Sequence, residues 1–384
     1  MIPESLYGIS KFSFDHLGTG GKMRVRPEDF RVIEIDDNGI LVTEKGQYRG
    51  GIYHHGIINR RALSHQKSIR LLGKFFAIPD EQIHLGGIKD KNAVVSQEFS
   101  VFKPRKNGDF TEVLLEDGFS IRSLGHHSKP VIKGHIWGNW FDIKVTGARD
   151  TGINYTQVFD ELGTYNYYGY QRFGGTRPIT AQFGRYLLLG DLKNAVDIYL
   201  GGTSYGDDES YRKLWRDTHD AELVLSEWLH PPQFEKKMLE VLIKTPSDYR
   251  RALERLPRNI KNFSQMAFIS LMFNEYISMR DDTILKGERV VVVNGKQNVE
   301  IALPSNKWPS PLNELWASIF DKHEFVVKSL KEIRHSSRMA HLFPKEFEYI
   351  FEEDSLYVKY ALPTGSYATT IMREIMKVDP ADYL

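Results

Sequence analysis

Polar and apolar residues alternate through the first third of the chain. From Lys22 to Ile35 the alternation fits a strand, with Pro27-Glu28-Asp29 as its opening turn. Asp37-Asn38-Gly39 then reads as a hairpin turn into Ile40 to Glu44. Between Asn59 and Phe76 the period changes: Leu63, Ile69, Leu72 and Phe76 share one helical face, Asn59 suits an N-cap, and Pro79 ends the element. Two β-branched runs follow, Gln82 to Leu85 and Glu98 to Phe102, joined by a loop bounded by glycine and asparagine. Val131 to Val145 reads as a strand pair or one long strand.

From Asn154 the texture becomes helical. Thr156 to Tyr165, Pro178 to Leu200, Asp208 to Leu229, Pro232 to Ile243, Pro246 to Arg255 and Ile260 to Arg280 all carry helical spacing. Prolines stand near several of their starts, where a missing N–H costs little. Short β segments return at Arg289 to Val293, Val299 to Ala302, Arg338 to Phe343 and Leu356 to Leu362, and a helix closes the chain from Tyr367 to Lys377. The layout is a helical insertion within a sheet domain whose last strands and helix arrive at the C-terminus. No internal repeat, low-complexity run or flexible linker interrupts it.

Composition narrows the class. A chain of 384 residues suggests two or three domains. With 41% hydrophobic and 26% charged residues it has the balance of a soluble globular protein. The absence of cysteine excludes disulfides and thiolate metal sites. The stretch Met1-Ile-Pro-Glu-Ser-Leu-Tyr7 is no leader, and no run is long enough to span a bilayer, so a cytoplasmic protein without membrane partners is expected. Nothing reads as a spare apolar helix face, which favours a monomer.

The net charge is only +1, but the charges are unevenly placed. Residues 45 to 79 hold no acid and carry Lys45, Arg49, Arg60, Arg61, Lys67, Arg70 and Lys74. Residues 118 to 141 are also acid-free, with Arg122, Lys129 and Lys133 beside His126, His127 and His135. Facing one cleft, these stretches would form a footprint for phosphates; otherwise they solubilise a helix and a loop.

Several motifs are decoys. Gly18-Thr-Gly-Gly-Lys22 lacks the first glycine of a P-loop, where His16 stands, and has Met23 where Ser or Thr is required. Gly202-Thr-Ser-Tyr-Gly206 has the letters of a nucleophile elbow, but a helix precedes it and an acidic loop follows, so it reads as a turn. The histidines lack metal-ligand spacing, and the adjacent pairs His54-His55 and His126-His127 would point to opposite faces of a strand.

The loop Gly86-Gly-Ile-Lys-Asp-Lys-Asn-Ala-Val-Val-Ser-Gln97 places one acid, Asp90, between Lys89 and Lys91 at a strand end. On spacing alone the ordinary reading of such a triplet is a solvated loop. In a cationic setting that favours the carboxylate, an acid there can also serve as base or nucleophile on an anionic substrate such as RNA. Asn139 and Phe141 lie two apart on a strand and so share one face. An amide beside an aromatic ring suits a flat heterocycle, although a core Phe beside a capping Asn is the commoner arrangement.

Both segments resemble signatures of the TruD family of pseudouridine synthases, the first as Gly-Gly-Ile-Lys-Asp-Lys-x-Ala-Val-x-x-Gln and the second as Gly-Asn-x-Phe. Arg24-x-Arg-Pro-Glu-Asp-Phe-x-Val-x-Glu34, Asn166-Tyr-Tyr-Gly-Tyr-Gln-Arg-Phe-Gly174 and Leu362-Pro-Thr-Gly-Ser-Tyr-Ala-Thr-Thr370 resemble further family blocks, in the family's order. Arg24 stands where the family has Lys, which keeps the charge but offers a planar fork. Tyr367 stands where Phe is also seen.

The resemblance implies an α+β fold, a pseudouridine-synthase core of mixed, mostly antiparallel sheet with helices (1–153 and 334–384), plus a largely helical insertion (154–333). It implies Asp90 as the catalytic residue, Phe141 stacked on the target base, Asn139 in its pocket, and Arg24 beside Asp90. Lys89 and Tyr367 join them as substrate-binding candidates. Gln171, Arg172 and Phe173 suit either domain joining or RNA contact. The implied substrate is tRNA, at uridine 13, with no metal or organic cofactor, since the isomerisation is redox-neutral. A non-catalytic RNA-binding or RNA-folding protein on the same fold is the alternative. A methyltransferase would need a Gly-rich nucleotide-binding turn after a first strand, and none is found.

Overall fold

The computed structural model describes residues 3–105, 110–203, 209–281, 283–293, 295–307, 313–331 and 333–383. The strands are β1 (Lys22–Met23), β2 (Phe30–Ile35), β3 (Tyr53–Arg61), β4 (Ile83–Leu85), β5 (Val94–Phe102), β6 (Glu112–Glu116), β7 (Phe119–His127), β8 (Gly138–Thr146), β9 (Thr164–Tyr165), β10 (Glu288–Val293), β11 (Lys296–Ala302), β12 (Ser337–Met339), β13 (His341–Leu342), β14 (Lys345–Glu352) and β15 (Ser355–Pro363). The helices are α1 (His65–Phe76), α2 (Tyr155–Glu161), α3 (Thr180–Leu189), α4 (Leu192–Gly201), α5 (Ser210–Thr218), α6 (Ala221–Glu227), α7 (Gln233–Lys244), α8 (Tyr249–Leu253), α9 (Arg258–Met279), α10 (Glu314–Lys322), α11 (Ala368–Met376) and α12 (Pro380–Tyr383).

A ten-stranded mixed sheet dominates, in the order β14-β15-β8-β2-β5-β3-β7-β6, with β1 added beside β8 and β4 beside β5. Among the described strands, β2 and β5 alone pair in parallel, and Tyr48 and Gly125 add an isolated parallel bridge. The C-terminal hairpin β14–β15 thus completes the sheet begun by the first strands, β15 lying antiparallel to β8. The α+β architecture expected from the sequence is the one observed. A second, three-stranded sheet, β10-β11-β12, joins segments from either side of residue 334.

Among the described residues, three apolar clusters form the core. The largest runs from Phe30, Phe141 and Ile143 of the sheet through Phe268, Phe273 and Tyr276 of α9 to Ile371 and Ile375 of α11. A helical cluster around Trp215, Trp228 and Leu239 makes a separate core in the middle of the chain. The third packs α1 onto the sheet through Leu72 and Phe76.

Several boundaries differ from the sequence pattern. Asn59 does not cap a helix: it lies within β3, where its Oδ1 accepts from Ser96 Oγ at 2.7 Å. The helix starts at His65, capped by Ser64, whose side chain accepts from Lys67 N–H. β3 is buried on both faces, so it lacks the alternation that marks a half-buried strand. β6, β7 and β14 also went unrecognised in the pattern. The Asp37–Gly39 turn forms, but its return is a single bridge, Ile35 to Leu41, followed by a 3₁₀ turn. The long helix expected from Pro178 to Leu200 is two, broken at Gly190, which takes φ +74°. Thr156 to Tyr165 ends early as α2, and its last two residues form β9. The Asp208–Leu229 helix is two, α5 and α6, parted at His219 (φ +53°); Asp208, and Ser204 to Gly206 of the rejected elbow, lie outside the described residues. Residues 131–137 form no strand; they cross the Asp90 loop, with Gly134 N–H donating to Gly86 O at 2.8 Å.

Candidate active site

Sheet register assembles the site. On β8, Phe141 faces Val32 of β2 and Tyr360 of β15, while Asn139 faces Glu34 and Leu362. Side chains two apart share a face, so Phe30, Val32 and Glu34 line up beside Asn139 and Phe141. Gly138 lets the strands approach this closely: a Cβ there would lie 1.9 Å from Leu362 O. The loop between β4 and β5 brings Asp90 over this face, and the turn between β15 and α11 brings Tyr367. Together they enclose a cavity of about 240 Å³. Its wall includes all six residues proposed from the sequence, Arg24, Lys89, Asp90, Asn139, Phe141 and Tyr367.

Asp90 is 37% exposed and paired with Arg24, whose Nη2 lies 3.2 Å from Asp90 Oδ2. Arg24 is only 6% exposed and its guanidinium sits 4.0 Å from the Phe30 ring centre. Its backbone is left-handed, at φ +57°, a conformation that costs an arginine on the order of 1–3 kcal/mol. Surrounding structure therefore holds this side chain against the carboxylate.

The flanking lysines behave differently from what the triplet suggests. Lys89 turns inward and its ammonium binds Glu34 at 2.9 Å, with the two side chains 6% and 1% exposed. Gln97 bridges the same acid to the loop, its Nε2 donating to Glu34 Oε2 at 3.1 Å and to Gly87 O at 2.7 Å. Arg60 Nη2 adds a bond to Lys89 O at 3.0 Å. Burial lowers the pKa of Arg60, opposed by the charge of Asp90. Lys91 is exposed. The cation touching Asp90 is thus Arg24, from 66 residues away.

Two polar atoms of the wall are buried without a hydrogen bond, Asn139 Oδ1 and Arg24 Nε. A buried unsatisfied group costs about 1–3 kcal/mol, which a ligand with matching groups would recover. Phe141 is 6% exposed and packs edge-on to Phe30 at 6.0 Å and against Tyr360 at 5.6 Å, so it is both core and cavity wall. Ile88, 72% exposed, stands at the rim. Burial pushes the Tyr367 phenol pKa up, with Arg172 and Arg338 opposing.

Of the three residues left open between joining and binding, Gln171 lines the cavity and its Oε1 accepts from Thr369 Oγ1 at 3.5 Å. Arg172 Nε donates to Ser270 Oγ of α9 at 3.2 Å, and Phe173 is buried in the main core. Glu34 and Gln97 support the site but were assigned no role from sequence, and Arg60, grouped there with the phosphate-facing cations, is instead buried and holds the Lys89 carbonyl. The available signal was Glu34, an acid on the apolar parity of β2, which burial obliges to find a partner.

The acid-free stretches are less cationic on the surface than their composition suggests. Lys45 binds Asp36 and Glu98, Arg61 binds Glu28, Lys67 binds Glu116, and Arg60 is buried. Tertiary folding supplies the acids that the local sequence lacks. Arg49, Arg70, Lys74, Lys129 and Lys133 stay exposed. Among the described residues there is no cluster of three or more potential metal ligands and no helix long and apolar enough to cross a membrane.

A family model described as tRNA pseudouridine synthase D (TruD) matches residues 6–307. The chain belongs to the TruD family. Its relatives include a Methanococcoides burtonii protein named "Probable tRNA pseudouridine synthase D", 27% identical with 98% of each chain covered. A Pyrococcus furiosus protein of the same name is 28% identical, covering 94% of this chain and 96% of that one. A crystal structure from Methanosarcina mazei, titled as a TruD protein, superposes with a TM-score of 0.73 over 99% of both chains at 23% identity, which establishes the shared fold. TruD proteins are isomerases, and Asp90, Asn139 and Phe141 all fall within the matched region.

Proposed function

We propose that this protein converts a uridine of tRNA, at position 13, to pseudouridine in the cavity beneath Asp90. The observation that carries this reading is the pairing of a cation-held carboxylate with an unsatisfied amide acceptor on one aromatic-walled cavity. Uracil has one N–H donor on its ring edge, which Asn139 Oδ1 can accept, and a face that Phe141 can meet. The base lies inside structured RNA, so it must first be flipped out.

Asp90 then opens the N1–C1′ glycosidic bond, by attack on C1′ or by removing the C2′ proton. The freed uracil turns and bonds to C1′ through C5, and the C5 proton leaves. Arg24 keeps the carboxylate in place. The catalytic part comprises residues 1–153 and 334–384, and the insertion 154–333 forms the opposite wall of an RNA cleft. Gln171, from the insertion, on the cavity wall supports that arrangement.

The test is release of tritium from tRNA transcripts labelled at uridine C5. Wild-type protein should release tritium and Asp90→Asn should not, while the variant's tRNA affinity stays within a few-fold. Every tenfold in rate is about 1.4 kcal/mol of barrier, so loss of a reacting carboxylate should exceed several kcal/mol. Turnover by Asp90→Asn at the wild-type rate would refute the assignment. Absence of release by the wild type, with tRNA bound, would favour an RNA-binding protein.

A further inference from the structure

A second cavity, of about 410 Å³, opens beside the first and shares Ser366 with it. It lies where β8 and β15 meet at their ends, with Trp137 just before β8 and Pro363 at the end of β15. Its far wall comes from the small sheet, including Met339 of β12. The crevice therefore runs between that sheet and the one bearing the catalytic cavity.

Its wall is suited to a flat ring. Trp137 and Phe343 are half-buried, and the exposed Lys345 places its ammonium 4.6 Å from the Trp137 ring centre. Among the described residues no carboxylate pairs with Lys345. Arg338 is committed to the partition: it donates to Asn166 O at 2.8 Å, Tyr167 O at 3.1 Å and Gly365 O at 2.8 Å, fixing the turn that carries Ser366 and Tyr367. Lys345 rests on one face of Trp137; when it swings to a phosphate it frees that face, so the wall binds a base by its π face and a phosphate by charge, with little preference among bases.

We propose that this crevice is a subsite for the base of a nucleotide flanking the target uridine, stacked on Trp137 with Lys345 at its phosphate. The proposal rests on the reading of the first cavity as the uridine pocket. Flipping one base leaves its neighbours without a stacking partner. A platform that shares a wall residue with the catalytic cavity supplies a partner to one of them, so part of the unstacking cost is offset. Because Ser366 lines both cavities, the occupant this arrangement favours is a nucleotide adjacent to the flipped uridine on the same strand.

The experiment measures binding by fluorescence anisotropy with Asp90→Asn protein, so that turnover does not intervene. The ligands are the tRNA transcript and two transcripts abasic on either side of position 13. One abasic transcript should bind about tenfold more weakly than intact tRNA. Adding Trp137→Ala should weaken intact tRNA by a similar factor and leave that abasic transcript unchanged, and Trp137→Phe should restore most of the difference. Lys345→Ala should lower the salt slope of binding by about one. Equal binding of intact and both abasic transcripts overturns the subsite without recourse to any Trp137 variant. An equal loss on intact and abasic RNA in Trp137→Ala also overturns it, since that is the mark of a structural role. Failure of the uridine-pocket reading shows separately, as absent tritium release by wild-type protein.

Discussion

Glu34→Gln should destabilise the protein far more than the net contribution of the ion pair it breaks. Glu34 and Lys89 meet at 2.9 Å with both side chains almost wholly buried. At an effective dielectric of about 20 their attraction is roughly 332/(20 × 2.9), about 6 kcal/mol. Taking each ion out of water costs several kcal/mol, so the pair as a whole contributes little. Removing one partner leaves the other buried charge uncompensated, at a cost of about 3–5 kcal/mol. Glu34→Gln should therefore lower unfolding free energy by about that amount in urea titration, and Lys89→Met by a comparable amount. The double variant should recover about 2 kcal/mol or more relative to the sum of the two, because neither charge is stranded. Activity should follow geometry: Gln97 ties Glu34 to Gly87, three residues before Asp90, so each single variant should lower kcat more than it raises KM. Strictly additive single and double variants would refute the argument, because they would show that the two charges do not act on each other.

Phe141→Leu keeps most of the apolar volume and loses the ring; kcat/KM should fall by a factor on the order of ten in the tritium assay, with unfolding free energy reduced by less than about 1.5 kcal/mol. Glu98 has its pKa pushed up by burial but pulled further down by hydrogen bonds from His55 and Lys45, for a net lowering. A carboxyl depressed in the folded state contributes stability above its unfolded pKa, near 4.3, and loses it as pH falls through the lower folded value. Lys45→Met should therefore destabilise at pH 7, with the difference from wild type shrinking below about pH 4 in denaturant titrations. Affinity for tRNA should fall as salt rises, through the exposed cations Arg49, Arg70, Lys74, Lys129 and Lys133; a flat salt response would remove the basic surface from the reading.

Local pattern made the placement of the site legible, and the family resemblance made its roles legible. A two-residue period placed Asn139 and Phe141 on one face, and β-branched runs placed the Asp90 loop between two strands, as β4 and β5 show. The illegible parts were partnerships. The lysines beside Asp90 looked like its counter-ions, yet Lys89 is drawn to Glu34; only the family resemblance, not the local pattern, put Arg24 beside Asp90, where it lies. Asn59 looked like a helix cap because a strand buried on both faces has no alternation to reveal it. The second cavity left no trace in sequence, since its walls come from residues 137, 339, 343 and 345 brought together across two sheets.

By itself, the sequence determined which residues could carry chemistry and, where the alternation is clean as at Asn139 and Phe141, which face they share, because side-chain period is a property of neighbouring residues. The tertiary structure alone decided which charge meets which, what is left unsatisfied, and where space remains. Those depend on sheet register and burial: register sets Asn139 opposite Glu34, and burial makes every inward charge find a partner, however far along the chain it lies.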